Sequence, residues 1–274
     1  MISKNSYNIF KKGSKTYFYT SLFFPKIIKE DVFTLYAFVR TADDLVDSIP
    51  QQSARFHAFV KEYQKALCGK GSGNEVITNF VNVSKKYSFE PRWIEAFLST
   101  MEADLKKSTY RTLVELEEYM YGSAGVIGLM MAKILDLPSS VYAAAALQGK
   151  AMQYLNFIRD IDEDNSLGRT YIPKEYVDRA GLGSLLSPAD KKDKEIFSRL
   201  IRSEIKRYAK WQSKAQKAYP FIPMRYRIPI KTAAMLYLWT GKKIGQNPEI
   251  VFQRKVKPSI FRIFLTLGKV IYSG

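Results

Sequence analysis

Two short runs of this chain place acidic residues where they should repel one another. In Arg40-Thr41-Ala42-Asp43-Asp44-Leu45-Val46-Asp47, the carboxylates of Asp43 and Asp47 stand four residues apart. The run from Gln153 to Asp164 repeats the spacing with Asp160 and Asp164, and Asn156 continues it one turn earlier. On a helix, residues i and i+4 share a face about 5–6 Å apart at Cβ, and like charges so placed weaken the helix. The flanks are apolar, Tyr36-Ala37-Phe38-Val39 before the first run and Tyr154-Leu155 with Phe157-Ile158 inside the second. Carboxylates turned into a bundle are costly unless paired or bound to metal. The chemistry this permits is a cation clamp, with two helices facing each other and divalent ions between them. The bland alternative is two solvated acidic faces neutralised by Arg40 and Arg159.

The ligand types narrow the ion. A di-iron site would call for Glu-x-x-His pairs, and His57 is the sole histidine. Oxygen ligands, Asn156 included, suit Mg²⁺ (with Mn²⁺ as a substitute), which commonly shares carboxylates with substrate phosphates. Arg40 lies one turn before Asp43, Arg159 beside Asp160, and Arg169 five residues after Asp164. Guanidinium groups grip phosphate oxygens in pairs, so metal and arginine together could draw off a leaving diphosphate. A third stretch, Tyr119 to Met131, carries Gly122, Gly125 and Gly128 at spacing three. Each glycine costs about 1 kcal/mol relative to alanine in a helix interior. Close helix packing would explain them, and so would room for an apolar ligand at a break in the helix wall.

The elements that must position these residues read as helices. Helical periodicity dominates, and hardly any stretch alternates with period two. The expected helices are 14–24, 29–47, 53–67, 75–87, 91–107, 113–135, 139–164, 190–219 and 230–245, with a short one from Pro258. Residues 220–229 read as a proline-punctuated connection. The Gly69-Lys70-Gly71-Ser72-Gly73 loop lacks the preceding strand of a phosphate cradle and reads as a turn. His57 has no supporting motif and reads as an exposed or satisfied helical residue. With no long linker and no repeat, one all-α domain over residues 1–274 is the economical expectation.

Composition sets outer bounds. The chain has 274 residues, 46% hydrophobic, and a single cysteine, Cys68, so it holds no internal disulfide. Of the formal charge of +17, residues 199–274 supply 15, with 17 Lys/Arg against 2 Asp/Glu. Such a basic third implies an anionic partner. No nucleic-acid motif supports RNA or DNA, whereas a phosphorylated substrate and an anionic membrane surface both fit. No signal peptide or spanning segment is visible, so a cytoplasmic protein is expected, peripheral to a membrane at most. Residues 258–274, apolar and basic together, either dock on the bundle or lie on lipid.

These motifs give the chain a resemblance to the phytoene/squalene synthase family, the head-to-head prenyl transferases. Tyr119 through Ile134 fits one family signature, with Tyr119, Ala124, Gly125 and Gly128 at its key places. Gly149 through Pro173 fits the second, through Gln153, Asn156, Arg159, Asp160, Asp164, Arg169, Tyr171 and Pro173. Gln148 departs from it, standing where an aliphatic residue is expected, with an expected effect on packing more than on chemistry. The resemblance implies an isoprenoid-synthase helical bundle with a central cavity. It implies that Asp43, Asp47, Asn156, Asp160 and Asp164 bind Mg²⁺ and diphosphate. Ser14, Tyr36, Arg40, Arg159, Arg169 and Arg254 would hold diphosphate or shape its pocket. Tyr119, Gln153, Tyr171 and Tyr237 would line the reacting centre.

Prokaryotic phytoene synthases, which join two C20 geranylgeranyl diphosphates through a cyclopropylcarbinyl diphosphate, are the nearest resemblance. Dehydrosqualene or squalene synthesis from two C15 farnesyl diphosphates is the alternative, and a catalytically inactive membrane-associated relative is the non-enzyme one. With no dinucleotide fingerprint, NADPH is not expected.

Overall fold

A computed structural model describes residues 3–272; of the segment 258–274, residues 273 and 274 lie outside it. The described residues fold into fourteen α-helices with no strand. Helices α1 (Lys4–Gly13) and α2 (Lys15–Ser21) come first, followed by α3 (Lys26–Asp47), α4 (Ser53–Leu67), α5 (Glu75–Lys86) and α6 (Pro91–Ala103). Then come α7 (Leu113–Met120), α8 (Val126–Ile134), α9 (Tyr142–Arg159), α10 (Ile161–Ser166) and α11 (Lys174–Ala180). The chain closes with α12 (Lys191–Gln216), α13 (Met224–Gln246) and α14 (Ile260–Tyr272). Buried residues from Phe10 to Val256 join in one apolar cluster.

Four elements differ from the sequence expectation, each for a local reason. Helix α1 lies in a stretch read only as polar and basic. Ser3 caps it, and Phe10, fully buried, stacks on Tyr36 at 3.8 Å. Helix α11 is short and stops at Gly181, whose φ of 84° suits glycine. Helix α13 begins at Met224 and runs through Pro229. As the sixth residue, that proline breaks the ladder only near its end. The expected helix 139–164 divides at Asp160, though the backbone bonds Asp160 N–H to Asn156 C=O and Asp164 N–H to Asp160 C=O persist, both at 2.8 Å. The i, i+4 series therefore survives a bend.

The glycine series serves close packing and a local irregularity at once. Residues Tyr121–Gly125 form a π-helical turn between α7 and α8, a distortion that often marks a functional position. A Cβ on Gly122 would collide with Thr100 and the Ala96 carbonyl of α6, and one on Gly128 with the Ala145 carbonyl of α9. A Cβ on Gly149 would strike the Ala124 carbonyl in return. Backbone thus lies against backbone along the α8–α9 seam, and α9 is fixed at the centre of the bundle between α8 and α12.

On its other side α9 is tied to α12 by buried polar pairs. The amides of Gln148 and Gln212 bond each other reciprocally at 2.8 Å, and Tyr219 Oη donates to Gln148 Oε1 at 2.9 Å. The unusual Gln148 is thereby satisfied by a fully buried partner. Glu204, 2% exposed, accepts from Tyr154 Oη at 2.5 Å and Arg207 Nε at 2.9 Å. The Gly69–Gly73 segment is an open turn with Gly69 and Gly71 at positive φ. His57 is exposed and faces Glu102 at 3.2 Å.

Gly149→Ala should be destabilising by about 1–3 kcal/mol, because a rigid carbonyl rather than a mobile side chain opposes the new methyl. Urea unfolding, with Gly73→Ala as a control in open space, measures it.

Candidate active site

Helix α3 delivers the first acidic turn and the α9–α10 bend the second. Arg40 Nη1 lies 2.8 Å from Asp43 Oδ2, and its Nη2 lies 2.5 Å from Asp44 Oδ1. Arg159 grips Asp160 with two bonds of 2.7 Å. The two turns meet through Arg169, whose Nη1 donates to Asp47 across 122 residues of sequence. Its Nη2 donates to the carbonyls of Val46 and Asp104, at 3.0 and 3.3 Å. Arg169 is held there because Thr170 pairs with the 108–110 loop, its N–H donating to Ser108 C=O at 2.7 Å. A cleft of about 350 Å³ opens beside this bridge, with Asp47, Asp104, Lys107 and Arg169 in its wall.

The electrostatics show unsettled negative charge. Burial, then repulsion from Asp47, pushes the Asp43 carboxyl up to about 7, against the pull of Arg40. The open third of its side-chain surface therefore does not give it bulk-water solvation. Burial, then Asp160 and Asp47, pushes Asp164 up to about 8. Asp47 thus acts on carboxylates of both turns. Asn156 Oδ1 is buried without a hydrogen-bond partner, while its Nδ2 donates to Gln153 Oε1 at 3.2 Å.

These features fit a divalent cation. An orphaned amide oxygen and carboxylates that resist ionisation are what a missing positive charge would settle. Among the described residues no three acidic or histidine side chains converge to enclose an ion unaided. The donors fit Mg²⁺ held by one or two carboxylates and completed by phosphate oxygens, not an all-protein cage.

An aromatic wall stands beside the acidic turns. Tyr171 stacks on Phe157 at 4.1 Å, and it faces Tyr110 at 5.7 Å and Tyr119 at 5.5 Å. Tyr119 Oη donates to Asp104 Oδ2 at 2.7 Å. On the other side Tyr237 stacks on Tyr17 at 5.5 Å, and both act electrostatically on Arg159. Tyr36, stacked on Phe10, sits over Gly13, where an added Cβ would meet the Tyr36 hydroxyl and ring edge. Burial raises the phenols of Tyr17, Tyr36, Tyr119 and Tyr171 above the ordinary tyrosine value. They stay neutral donors and polarisable faces rather than phenolate bases. Along α9, every residue from Ala144 to Lys150 is half-buried, so the central helix keeps part of its surface open.

Most residues singled out by sequence gather here, with two qualifications. Ser14 caps α2, accepting from Tyr17 N–H at 3.3 Å, which uses one lone pair of its hydroxyl and leaves the O–H to donate. Arg254 is exposed, and its neighbour Lys255 reaches the acidic turn instead, 3.2 Å from Asp160 and in contact with Glu163. Sequence reasoning missed Lys255, Asp104, Tyr17, Tyr110 and Phe157. Asp104 is 4% exposed, and burial pushes its carboxyl up to about 7. Only its place after a strongly apolar helix face hinted at this.

Three carboxyls thus bind protons more tightly folded than unfolded. Their contribution to stability is full below about pH 4 and is lost as pH rises through about 7 for Asp43 and Asp104, and about 8 for Asp164. Without metal, the urea midpoint should fall between about pH 5 and about pH 8.5, and Asp164→Asn should flatten that fall. Mg²⁺ competes with these protons, so it should raise the melting temperature more at the higher pH.

The comparisons with known proteins agree with this geometry. The squalene/phytoene synthase family model matches residues 10–262. The 15-cis-phytoene synthase of Paracoccus sp. is 25% identical over 261 residues, covering 90% of this chain and 84% of that protein. That of Enterobacter agglomerans is 27% identical over 262 residues, with 90% and 87% covered. Among solved structures, a dehydrosqualene synthase in complex with ligand superposes with a TM-score of 0.88 at 26% identity, over 98% of this chain and 94% of that one. A squalene synthase from Alicyclobacillus acidocaldarius shares the fold, with a TM-score of 0.77 at 21% identity over 89% and 93%. With its helical fold and family match over most of its length, the chain belongs to the squalene/phytoene synthase family and is a head-to-head prenyltransferase.

Proposed function

We propose that this enzyme is a 15-cis-phytoene synthase, joining two geranylgeranyl diphosphates and releasing diphosphate, the first committed step towards carotenoids. The observation that carries the C20 assignment is the naming of its relatives. Proteins 25–27% identical over most of this chain, from Paracoccus sp., Enterobacter agglomerans and Synechocystis sp., are 15-cis-phytoene synthases. The acidic turns, with their orphaned amide oxygen and surrounding arginines, supply the diphosphate end of the reaction.

Asp43, Asp47, Asn156, Asp160 and Asp164 would hold Mg²⁺, which when bound neutralises the diphosphate and favours its departure. Arg40, Arg159, Arg169 and Lys255 take up the diphosphate oxygens as charge grows on them, a stabilisation set in place before reaction. The C1–O bond of one substrate breaks, and the 2,3 double bond of the second attacks the allylic cation. Loss of a proton closes a cyclopropylcarbinyl diphosphate. A second ionisation, rearrangement and proton loss give the linear hydrocarbon. Tyr119, Tyr171 and Phe157 present aromatic faces to the cations and keep water from quenching them. Neutral phenols do not take the last proton, and released diphosphate is the acceptor proposed for it.

The second reading is dehydrosqualene synthesis from two farnesyl diphosphates, favoured by the dehydrosqualene synthase that superposes at 0.88. Purified enzyme with Mg²⁺ and either C15 or C20 diphosphate, with and without NADPH, separates the two by the hydrocarbon formed. Phytoene from C20, independent of NADPH, is expected. Preferential C30 product would overturn the chain-length assignment, and no diphosphate release from either substrate would overturn the chemistry. Asp43→Ala and Asp160→Ala should each lower turnover on the order of 10³-fold with the circular dichroism unchanged; near-normal rates would refute their roles.

A further inference from the structure

Helix α14 is apolar on both sides. Its inner side seats Ile263, Leu267 and Val270, each 5% exposed or less, against α2 and α13. Its outer side carries Phe261, Leu265 and Tyr272, whose spacings of four and seven put them on one face. Phe261 is 78% exposed and Tyr272 98%. Phe264 extends this face to the end of α2, its ring 6.4 Å from that of Phe23. Ile27, 64% exposed, follows at the start of α3. A continuous apolar patch of this kind on a water-exposed surface marks a docking site.

The charge around the patch selects the occupant. Residues 3–29 and 250–272, which include α1, α2 and α14, hold eleven Lys/Arg and no Asp/Glu. Arg262 and Lys269 flank the outer face of α14, the former lying over the Trp239 ring at 4.8 Å. Lys26 precedes Ile27. We infer that the α2–α14 face docks on an anionic lipid bilayer, its aromatic and aliphatic side chains entering the acyl boundary and its lysines meeting the phosphate headgroups. A second copy of the chain is the poorer fit. A two-fold interface sets like face on like face, and here it would bring two acid-free basic surfaces together. No helix among the described residues is long and apolar enough to cross a membrane, so this contact is peripheral.

The site lies one helix away. Helix α2 presents Tyr17 to Tyr237, and the chain just beyond it presents Phe23 to the patch. A C30 or C40 hydrocarbon has no useful solubility in water, and a bilayer against α2 would receive it. That purpose rests on the proposed chemistry. The docking itself does not, and vesicle binding is read without turnover.

Flotation of the full chain with vesicles tests the assignment. Vesicles containing phosphatidylglycerol should carry the protein up, pure phosphatidylcholine vesicles on the order of tenfold less, and added salt should weaken the binding. Phe261→Asp should reduce binding on the order of tenfold or more without changing the melting temperature. Lys26→Glu with Lys269→Glu should weaken binding only to the anionic vesicles. Equal binding to both vesicle types, no flotation, or an unaffected Phe261→Asp variant would overturn the proposal. A dimer that Phe261→Asp converts to monomer, with no vesicle binding, would instead give the face to a second copy.

Discussion

The structure depends on holding several carboxylates close together away from bulk water. Asp47 repels both Asp43 and Asp164, and burial withholds from those two the solvation that would ease them. Arg169 makes the arrangement tenable in the folded chain. It binds Asp47 and two backbone carbonyls, so the α3 end, the 104–110 loop and the segment after α10 are fixed by one guanidinium. Arg40, Arg159 and Lys255 each serve one turn, whereas Arg169 joins both.

Such a site needs a rigid support, and α9 supplies it. The glycines along the α8–α9 seam replace side chains with backbone contact, leaving little slack for α9 to slide. Gln148 with Gln212, and Tyr154 with Glu204, then fix its far side to α12. These pairs are directional, so they set the rotation of α9 as well as its distance. That rotation leaves Leu155 and Ile158 in the core and Gln153 and Asn156 half-buried, with the Asn156 amide donating to Gln153.

Periodicity made much of this readable from sequence. The four-residue spacing of the carboxylates, the amide of Asn156, and Arg40 and Arg159 lie within one helix or across a bend that keeps the i, i+4 backbone bonds, where local geometry dictates which side chains share a face. The long amphipathic helices were legible for the same reason. Contacts between distant segments were not. Nothing local to Lys255 indicates that it meets Asp160, and nothing near Asp104 indicates that Tyr119 will donate to it. The bend at Asp160 was hidden because a helix and a bent helix share the same i, i+4 pattern. Ser14 carries a second task that its motif does not announce: its hydroxyl accepts from Tyr17 N–H and caps α2.

The proposed substrate is polar at one end and hydrocarbon for the rest of its length, and the site is graded to match. Carboxylates and guanidinium groups occupy the ends of α3 and α9, and neutral tyrosines and Phe157 come next. An aromatic wall beside charged groups separates two demands that conflict. Diphosphate departs most readily where cations and fixed dipoles await it, whereas a carbocation survives only where water and strong nucleophiles are absent. Suppressed phenol ionisation reconciles them, because a tyrosine held neutral offers a π face to a cation without offering a phenolate to attack it. The burial that makes the carboxylates costly therefore also keeps the tyrosines inert, and one low-polarity environment accounts for both.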